Sequence, residues 1–364
     1  MTETTETDVV ILGAGISGSL LALLLGRQGL RVTVVEPKPA VGTKGADFVK
    51  PRGLRILAEH GLLDGLGALR RATIEFHHDG VPLLSYDFAE HTGLGYYCVV
   101  PYAELVGAVL GACAELSTVD VRFDTTLADV RTEGPVVTGA TLSDGTRLTA
   151  RAFVDSSGSR TPLRELIEPS RRAIGYDHGL WMATVPGTRV RNGLYFSSDR
   201  WLAYFYSVTA ELTRVFVGLP VELEEPVFLR RSPDLAAKLA TFVPDEDALA
   251  GLDVAEFERA PVSAFTSAPY HRGNAVLLGG STFGCHPMTG QGMSYTMEDA
   301  TVLASVLTEA RDARELDGLL ERRYEPRRLV HERLVEYGDG LARTYHDRDA
   351  YLRAHDAVLH GGDV

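Results

Sequence analysis

Cysteine is scarce in this chain of 364 residues: Cys98, Cys113 and Cys285 are its only three, widely spaced and odd in number. They form no metal-ligand pattern and no disulfide framework, which points to a reducing compartment, the cytoplasm. Long apolar runs are also missing. The longest, Leu20 to Leu25, falls far short of the ~20 residues that cross a bilayer. Positive charge is in deficit: 36 Lys and Arg stand against 49 Asp and Glu, a formal net charge of −13, and no run is rich in Lys or Arg. That argues against nucleic acid and against an anionic membrane surface as partners. No Ser-His-Asp order, H-E-x-x-H motif or Cys/His cluster appears, so no metal is expected. Met1 to Thr7 is polar and acidic, lacks the basic start of a signal peptide, and reads as a frayed tail. What the chain does have is 45% hydrophobic residues, ample for a large core in one or two domains.

The stretch Asp8 to Glu36 organises the rest. Asp8 to Leu12 is a short Val/Ile-rich run that suits a strand buried on both faces. Gly13-Ala14-Gly15-Ile16-Ser17-Gly18 then fits G-x-G-x-x-G, and an apolar helix is expected from Ser17 to Gln28, ended by Gly29. Arg31 to Val35 is a second strand, closed by Glu36. In such a unit Gly13 permits the tight turn, Gly15 lets the backbone approach a pyrophosphate, and Gly18 lets helix and strand pack closely. The helix N-terminus turns its free N–H groups to the phosphates. Glu36 stands where a carboxylate accepts from a ribose 2′-OH and repels a 2′-phosphate, so NADP does not suit this site. The motif signals a dinucleotide and does not separate NAD from FAD.

Further along, Val41 to Gly53 reads as a loop and Leu54 to Leu66 as a helix. Thr73 to Phe88 breaks the βαβ rhythm with a hairpin at Asp79-Gly80. Tyr102 to Leu116 is helical. Val121 to Val154 reads as a meander, turning at Asp144-Gly145. Tyr176 to Val221 is dense in aromatic residues and reads as an antiparallel sheet, followed by a helix near Ser232 to Phe242. Ala275 to Leu278 returns as a strand, a loop feeds a helix from about Gln291 to Leu307, and Ala313 to Ala354 is charged and helical. The layout predicts an α/β fold: a Rossmann-type nucleotide domain at 1–72, 99–173 and 268–345, with an antiparallel domain inserted at 73–98 and 174–267, and a tail at 346–364.

The loop Gly279 to Met293 decides between cofactors. A plain NAD dehydrogenase needs no second Gly-rich loop opening a long helix. Here Gly290-Gln291-Gly292-Met293 precede one, so its positive end can face an anion, such as the N1–C2=O edge of a reduced flavin. On these residues the chain resembles the FAD-dependent aromatic hydroxylases, the flavoprotein monooxygenases typified by p-hydroxybenzoate hydroxylase. The resemblance runs from Asp8 to about Arg343. It rests on the first motif, on Ser157-Gly158-Ser159-Arg160-Thr161-Pro162-Leu163-Arg164, and on P-x-x-G-Q-G followed by Glu298-Asp299-Ala300. His286-Pro287-Met288-Thr289-Gly290 also looks like the loop of squalene epoxidases. Three positions depart from the family: Ser157 and Gly280 stand where it usually has Asp, and Tyr102 where it often has Arg.

The resemblance implies cofactor contacts at Gly13, Gly15, Ile16, Ser17, Gly18, Glu36, Gly158, Gly279, Pro287, Gly290, Gln291, Gly292 and Met293. Lys44 and Arg52 lie where the family places a flavin-contacting Arg; a solvated charge is the alternative for each. His286 is the candidate catalytic residue, over the flavin or against substrate, or else a hydrogen-bonded structural histidine. Cys285 reads as a small buried apolar residue. Trp181, Tyr195, Trp201, Tyr204 and Tyr206 are candidates for a substrate wall, with sheet packing as the alternative for each singly. Tyr324 to Glu336 carries Arg, Glu and His at helical spacing and reads as a solvated face.

By the same resemblance the expected function is FAD-dependent hydroxylation or epoxidation of a small apolar or aromatic substrate through C4a-hydroperoxyflavin, in secondary metabolism. O₂ is the co-substrate, and NAD(P)H supplies electrons directly or through a separate flavin reductase. A dehydrogenase, reductase or non-redox cyclase of the same fold, and a flavin-binding protein without turnover, are the alternatives.

Overall fold

A computed structural model describes residues 4–40, 42, 47–158, 162–187, 192–232, 234–244, 249, 252–260, 262 and 264–359. Its centre is a six-stranded sheet in the order His271–Arg272, Ala275–Leu277, Ala152–Asp155, Val9–Leu12, Val32–Val35, Val119–Arg122. All neighbours run parallel except the first pair. Val9–Leu12 and Ala152–Asp155 are buried along their whole length, as strands covered on both faces must be. Helix Ile16–Arg27 is apolar on every side because it is central: Gly292–Glu309 and Tyr102–Ala114 pack against it. Gly29, with φ +84°, ends it.

The expected meander from Val121 to Val154 belongs to two sheets. Leu127–Glu133, Val136–Leu142 and Arg147–Thr149 form an antiparallel sheet. Val119–Arg122 instead pairs with Val32–Val35, because the helix Tyr102–Ala114 is a crossover that returns the chain to the parallel sheet. The expected frayed tail contributes a strand, Thr4–Glu6, parallel to Arg147–Thr149. The expected loop from Val41 contains the strand Phe48–Val49 and the start of a helix, Pro51–Glu59, whose Pro sits in the first turn where its missing N–H costs nothing.

A second, seven-stranded sheet runs in the order Glu258–Ala260, His178–Pro186, Leu212–Pro220, Leu202–Ser207, Gly193–Phe196, Thr73–His78, Val81–Asp87. The hairpin at Asp79-Gly80 is thus joined to strands more than a hundred residues later, and Gly193–Phe196 lies parallel to Thr73–His78. Its two faces pack into different cores. One buries Trp181, Tyr195, Trp201 and Phe205 against Phe228, Leu239 and Phe242. The other buries Leu202, Tyr206 and the partly buried Tyr204 and Phe216 against Phe48, Tyr97 and Tyr345. The C-terminal stretch expected as a tail is a helix, Arg348–Leu359, with Tyr351 4.7 Å from Phe196 and His355 edge-on to Phe76 at 5.6 Å, measured between ring centroids. Residues 360–364 lie outside the described residues.

The face of Tyr324 to Glu336 expected to be solvated is split. Arg328 and Glu332 do form a surface pair at 2.9 Å. Arg327 and His331, about one turn apart, point inward to Asp299, which is fully buried on the long helix, while Tyr324 is buried with its OH donating to Leu277 O at 2.9 Å. Arg327 Nε donates to Asp299 Oδ1 at 2.7 Å, His331 Nε2 stands 2.9 Å from Oδ2, and Tyr270 OH bonds His331 Nδ1 at 2.7 Å. This ties the helix Arg327–Thr344 to the helix that follows the second Gly-rich loop. Asp299→Ala removes the buried carboxylate that Arg327 and His331 share and leaves Arg327 only Glu298 as partner, so a loss of about 1.5–3 kcal/mol is expected in urea denaturation; a loss under about 1 kcal/mol, the surface-pair value, would return this network to the surface class.

Candidate active site

The two Gly-rich loops meet at the C-terminal ends of the parallel strands. Gly13 has φ +99°, and a Cβ there would lie 2.8 Å from Ser156 O. A Cβ on Gly18 would lie 2.1 Å from Gly13 O, so the helix can pack this closely only with glycine. Ser17 Oγ bonds Ser156 Oγ at 2.8 Å, and a Cβ on Gly279 would meet Ser17 Oγ at 2.4 Å. The first, middle and last motifs therefore converge on one point.

Neither helix that opens here has an N-cap side chain bonded to its amides. At the first, Ile16 N donates instead to Tyr102 OH at 3.2 Å, across 86 residues. The tyrosine that replaces the family's arginine thus stands at the helix mouth. Glu36 Oε2 accepts from Ala14 N at 2.9 Å and Oε1 from Lys38 N at 3.1 Å. Each oxygen keeps a second lone pair, so the carboxylate still has capacity for hydroxyl donors. These residues fit a dinucleotide: glycines cleared of side chains, two helix N-termini whose N-cap residues offer no side-chain bond, and a carboxylate at the end of the second strand. Glu36→Ala is expected to weaken FAD binding by about 1.5–3 kcal/mol, the worth of charged hydrogen bonds, and Glu36→Arg by more. Fluorescence titration with FAD measures both; unchanged affinity in the two variants removes this carboxylate from the site.

The middle motif is closed on itself. Asp155, fully buried, accepts from Ser157 N at 2.9 Å, Ser157 Oγ at 2.7 Å and Ser281 Oγ at 3.2 Å. Gly158, with φ +68°, donates to Ser281 Oγ at 3.1 Å. Asp155 is thus committed to the loop. Residues 159–161 lie outside the described residues.

In the last loop His286 precedes a short 3-10 turn, Pro287–Thr289, which ends at the left-handed Gly290 with φ +56°. Gln291 N donates to Thr289 Oγ1 at 3.3 Å, Gly292 opens the long helix, and Met293 packs into the core around Ile16–Arg27. His286 itself is fully buried. Its Nδ1 accepts from Met288 N at 3.3 Å and its Nε2 lies 2.9 Å from Nε2 of His178 on the second sheet. The backbone donor fixes the proton of neutral His286 on Nε2, which donates to His178. Both ring nitrogens are therefore occupied, and the geometry is that of a residue tying the loop to the sheet. Beside it, Cys285, expected to be buried, is only partly so; its Sγ lies 3.3 Å from Thr289 Oγ1, and desolvation pushes its thiol pKa up.

Of the two cations expected near the cofactor, Lys44 lies outside the described residues. Arg52 reaches Glu298 and stands 4.8 Å over the Tyr295 ring, so the long helix engages its guanidinium. The cation that does touch the loop is Lys50: its Nζ donates to Thr289 O at 2.7 Å, and burial pulls its ammonium down to about 8. Lys50-Pro51 is a helix start in the sequence, and reading it as one would have drawn attention to this lysine.

The five aromatic candidates divide by strand alternation. Trp181, Tyr195 and Trp201 lie in the core on the far side of the sheet, Trp181 stacked on Phe228 at 4.3 Å with its Nε1 donating to Glu224. Tyr204 and Tyr206 face the loop side. Tyr206 OH donates to Asp47, which also holds Arg214 at 3.1 Å, and Phe48 stacks on Tyr204 at 5.5 Å. Met288 of the last loop, Phe216 and Tyr337 join the same cluster.

Several buried imidazoles surround this cluster. Burial takes His286 down to about 3 and His355 to about 4, and it lowers His178. Each stays neutral in the fold but protonates near the ordinary 6.5 once unfolded. The unfolded chain then binds more protons between those values, so stability is full above about pH 6.5 and falls as pH drops toward 4, by up to about 1.4 kcal/mol per pH unit for each imidazole. His355→Phe should flatten that slope in urea denaturations from pH 7 to 5; an unchanged slope would contradict the neutral burial of His355.

Residues 6–337 match the family described as FAD binding domain. The chain is 26% identical over 318 residues to para-nitrophenol 4-monooxygenase of Pseudomonas sp. (strain WBC-3), covering 83% of this chain and 78% of that protein. It is 25% identical over 326 residues to protoasukamycin 4-monooxygenase of Streptomyces nodosus subsp. asukaensis, covering 84% and 80%. The crystal structure of P. aeruginosa PqsL in complex with 2-aminobenzoylacetate superposes with a TM-score of 0.89 at 30% identity, covering 97% of this chain and 100% of that one. Among the described residues no helix is long and apolar enough to cross a membrane.

Proposed function

The chain belongs to the FAD binding domain family and is an FAD-dependent monooxygenase of the aromatic-hydroxylase type, and from that premise we propose that it places one oxygen atom on a small aromatic substrate. The observation that carries this reading is the aromatic inner face of the seven-stranded sheet. Phe48, Tyr204 and Phe216 pack there with Met288, a residue of the last Gly-rich loop itself. A flat apolar ligand bound against that face lies beside the loop. The ligand in the PqsL complex, 2-aminobenzoylacetate, is an aromatic.

In this reading Gly13, Gly15, Ile16, Ser17 and Gly18 would hold the pyrophosphate, Glu36 the adenosine ribose, and Pro287 to Met293 the flavin ring. FAD, once reduced, supplies the activation of O₂. The chain's own part is physical. The N-terminus of Gly292–Glu309 would favour negative charge on a ring bound against it. Lys50 adds a cation on the same loop. The rings around Tyr204 exclude water from the reacting centre. His286, paired with His178, keeps the loop seated on the sheet. Tyr204 and Tyr206 remain proposed for the substrate wall, whereas Trp181, Tyr195 and Trp201 are assigned to packing. The test is mass analysis of products from FAD-loaded protein supplied with reduced flavin, O₂ and a panel of phenols and aminobenzoyl compounds. A product 16 mass units heavier than its aromatic substrate supports the reading, by the mass of one oxygen atom. O₂ consumption with no oxygenated member of the panel counts against it.

A further inference from the structure

Three buried polar atoms on the loop side of the second sheet have no hydrogen-bond partner: Arg71 Nε, Tyr97 OH and Asn192 Nδ2. They belong together. Arg71 and Tyr97 are directly opposed on the antiparallel strands Leu69–Arg71 and Tyr97–Val99, which sets their Cβ atoms about 5 Å apart on one face. Burial pushes the Tyr97 phenol up to about 12, and Asn192, Arg71 and Tyr204 all stand close enough to pull it back. Asn192 is oriented by Ser207 N, which donates to its Oδ1 at 3.2 Å. Its Nδ2 is therefore the free end, and an amide flip would lose the backbone bond.

Arg71 Nε and Asn192 Nδ2 can only donate, and Tyr97 OH can donate. Buried donors in a native fold are nearly always paired; three unpaired at one place mark where an acceptor arrives with a ligand. Arg71 also has no carboxylate within ion-pair distance among the described residues. Arg214 nearby is different, being neutralised by Asp47 at 3.1 Å. A ketone or nitro oxygen would pair with a donor but bring no charge to Arg71, which is half-buried with its Nε cut off from solvent. A carboxylate satisfies both the donors and the charge. The position suits a ring on the same molecule: Tyr97 packs 5.4 Å from Phe48, Phe48 stacks on Tyr204, and Lys50, two residues beyond Phe48, reaches the last Gly-rich loop.

We infer that the substrate is an aromatic carboxylate whose acid group is held by Arg71, Tyr97 and Asn192. This deepens the hydroxylase reading and rests on it for the location of the reacting ring. Tyr97→Phe is the informative variant, because it keeps the ring against Phe48 and Phe88 and removes only an unpaired hydroxyl. Its melting temperature should equal or exceed that of the wild type.

Calorimetric binding to the FAD-loaded protein should be measured for benzoate, 2-aminobenzoate and 2-aminobenzoylacetate, each against its primary amide. In the wild type at least one acid should bind tighter than its amide by about tenfold or more, as a charge-assisted pair requires. Arg71→Met should abolish that preference and Tyr97→Phe should reduce it. Amides binding as well as acids, no acid binding at all, or a Tyr97→Phe protein that melts several degrees lower would each overturn the assignment. Oxygenation is read separately on the same compounds. An acid held through Arg71 but never oxygenated sinks the hydroxylase reading and leaves the anchor. A neutral aromatic oxygenated with no acid preference does the reverse.

Discussion

Gly15→Val is expected to purify as a folded protein that binds no FAD. Gly15 is the N-cap of Ile16–Arg27 and its backbone is extended, with φ −70° and ψ 178°, so valine meets no conformational strain there. The nearest atom to a Cβ would be Tyr102 OH at 3.1 Å, the end of a side chain that can shift by a few tenths of an ångström. The fold therefore tolerates the change. A pyrophosphate does not, because the branched side chain would fill the space above the first-turn amides where the phosphates approach. Gly18 gives the contrast: a Cβ there would lie 2.1 Å from a backbone carbonyl, so Gly18→Val is expected to unfold the domain. Circular dichroism and flavin content of the two variants separate the roles. Normal flavin content in Gly15→Val would overturn the assignment of the first loop to the cofactor.

Gly280→Asp is expected to tighten FAD by roughly ten- to hundredfold. In the family an Asp at this position holds the flavin's ribityl chain, and one charge-assisted hydrogen bond is worth about 1.5–3 kcal/mol. The structure has room for it: Gly280 is exposed, and the nearest atom to an added Cβ is Gly158 Cα at 3.6 Å. The nearby carboxylate, Asp155, is buried and already bonded to Ser157 and Ser281. We therefore expect the natural protein to release FAD readily and to purify partly as apoprotein. Ser157, where the family has Asp for handling pyridine nucleotide, makes a separate reductase the proposed source of electrons. Anaerobic mixing of FAD-loaded protein with NADH or NADPH should leave the flavin oxidised. Bleaching within seconds, with no reductase present, would refute the two-component proposal. A Gly280→Asp protein with unchanged FAD affinity would show that the loop lacks the family's geometry.

The first motif was legible because its signals are local. Asp8 to Glu36 carries strand, turn, helix and carboxylate in one continuous stretch, each fixed by its neighbours in sequence. The second sheet was legible as antiparallel from its alternation, but alternation does not say which face turns inward. Trp181 and Tyr204 looked equivalent; the pairing of Trp181 with Val217 and of Tyr204 with Phe216 puts them on opposite faces. His286 drew notice by its position, yet its partner His178 lies 108 residues away and no sequence pattern joins them. The same holds for Asp299 with Arg327 and His331, whose helical spacing is that of a surface stripe until a second helix is laid against it. Arg71, Tyr97 and Asn192 come from three separate segments; strand pairing opposes the first two, and only the tertiary fold brings Asn192 to them.

Incorporation of ¹⁸O from labelled O₂ tests the central claim most directly. FAD-loaded protein, supplied with reduced flavin under ¹⁸O₂ and an aromatic carboxylate, should yield product carrying one ¹⁸O atom, with the second leaving as water. A product formed at the same rate without oxygen, or one carrying no ¹⁸O, would show that the fold runs a dehydrogenation, reduction or cyclisation and would contradict the account.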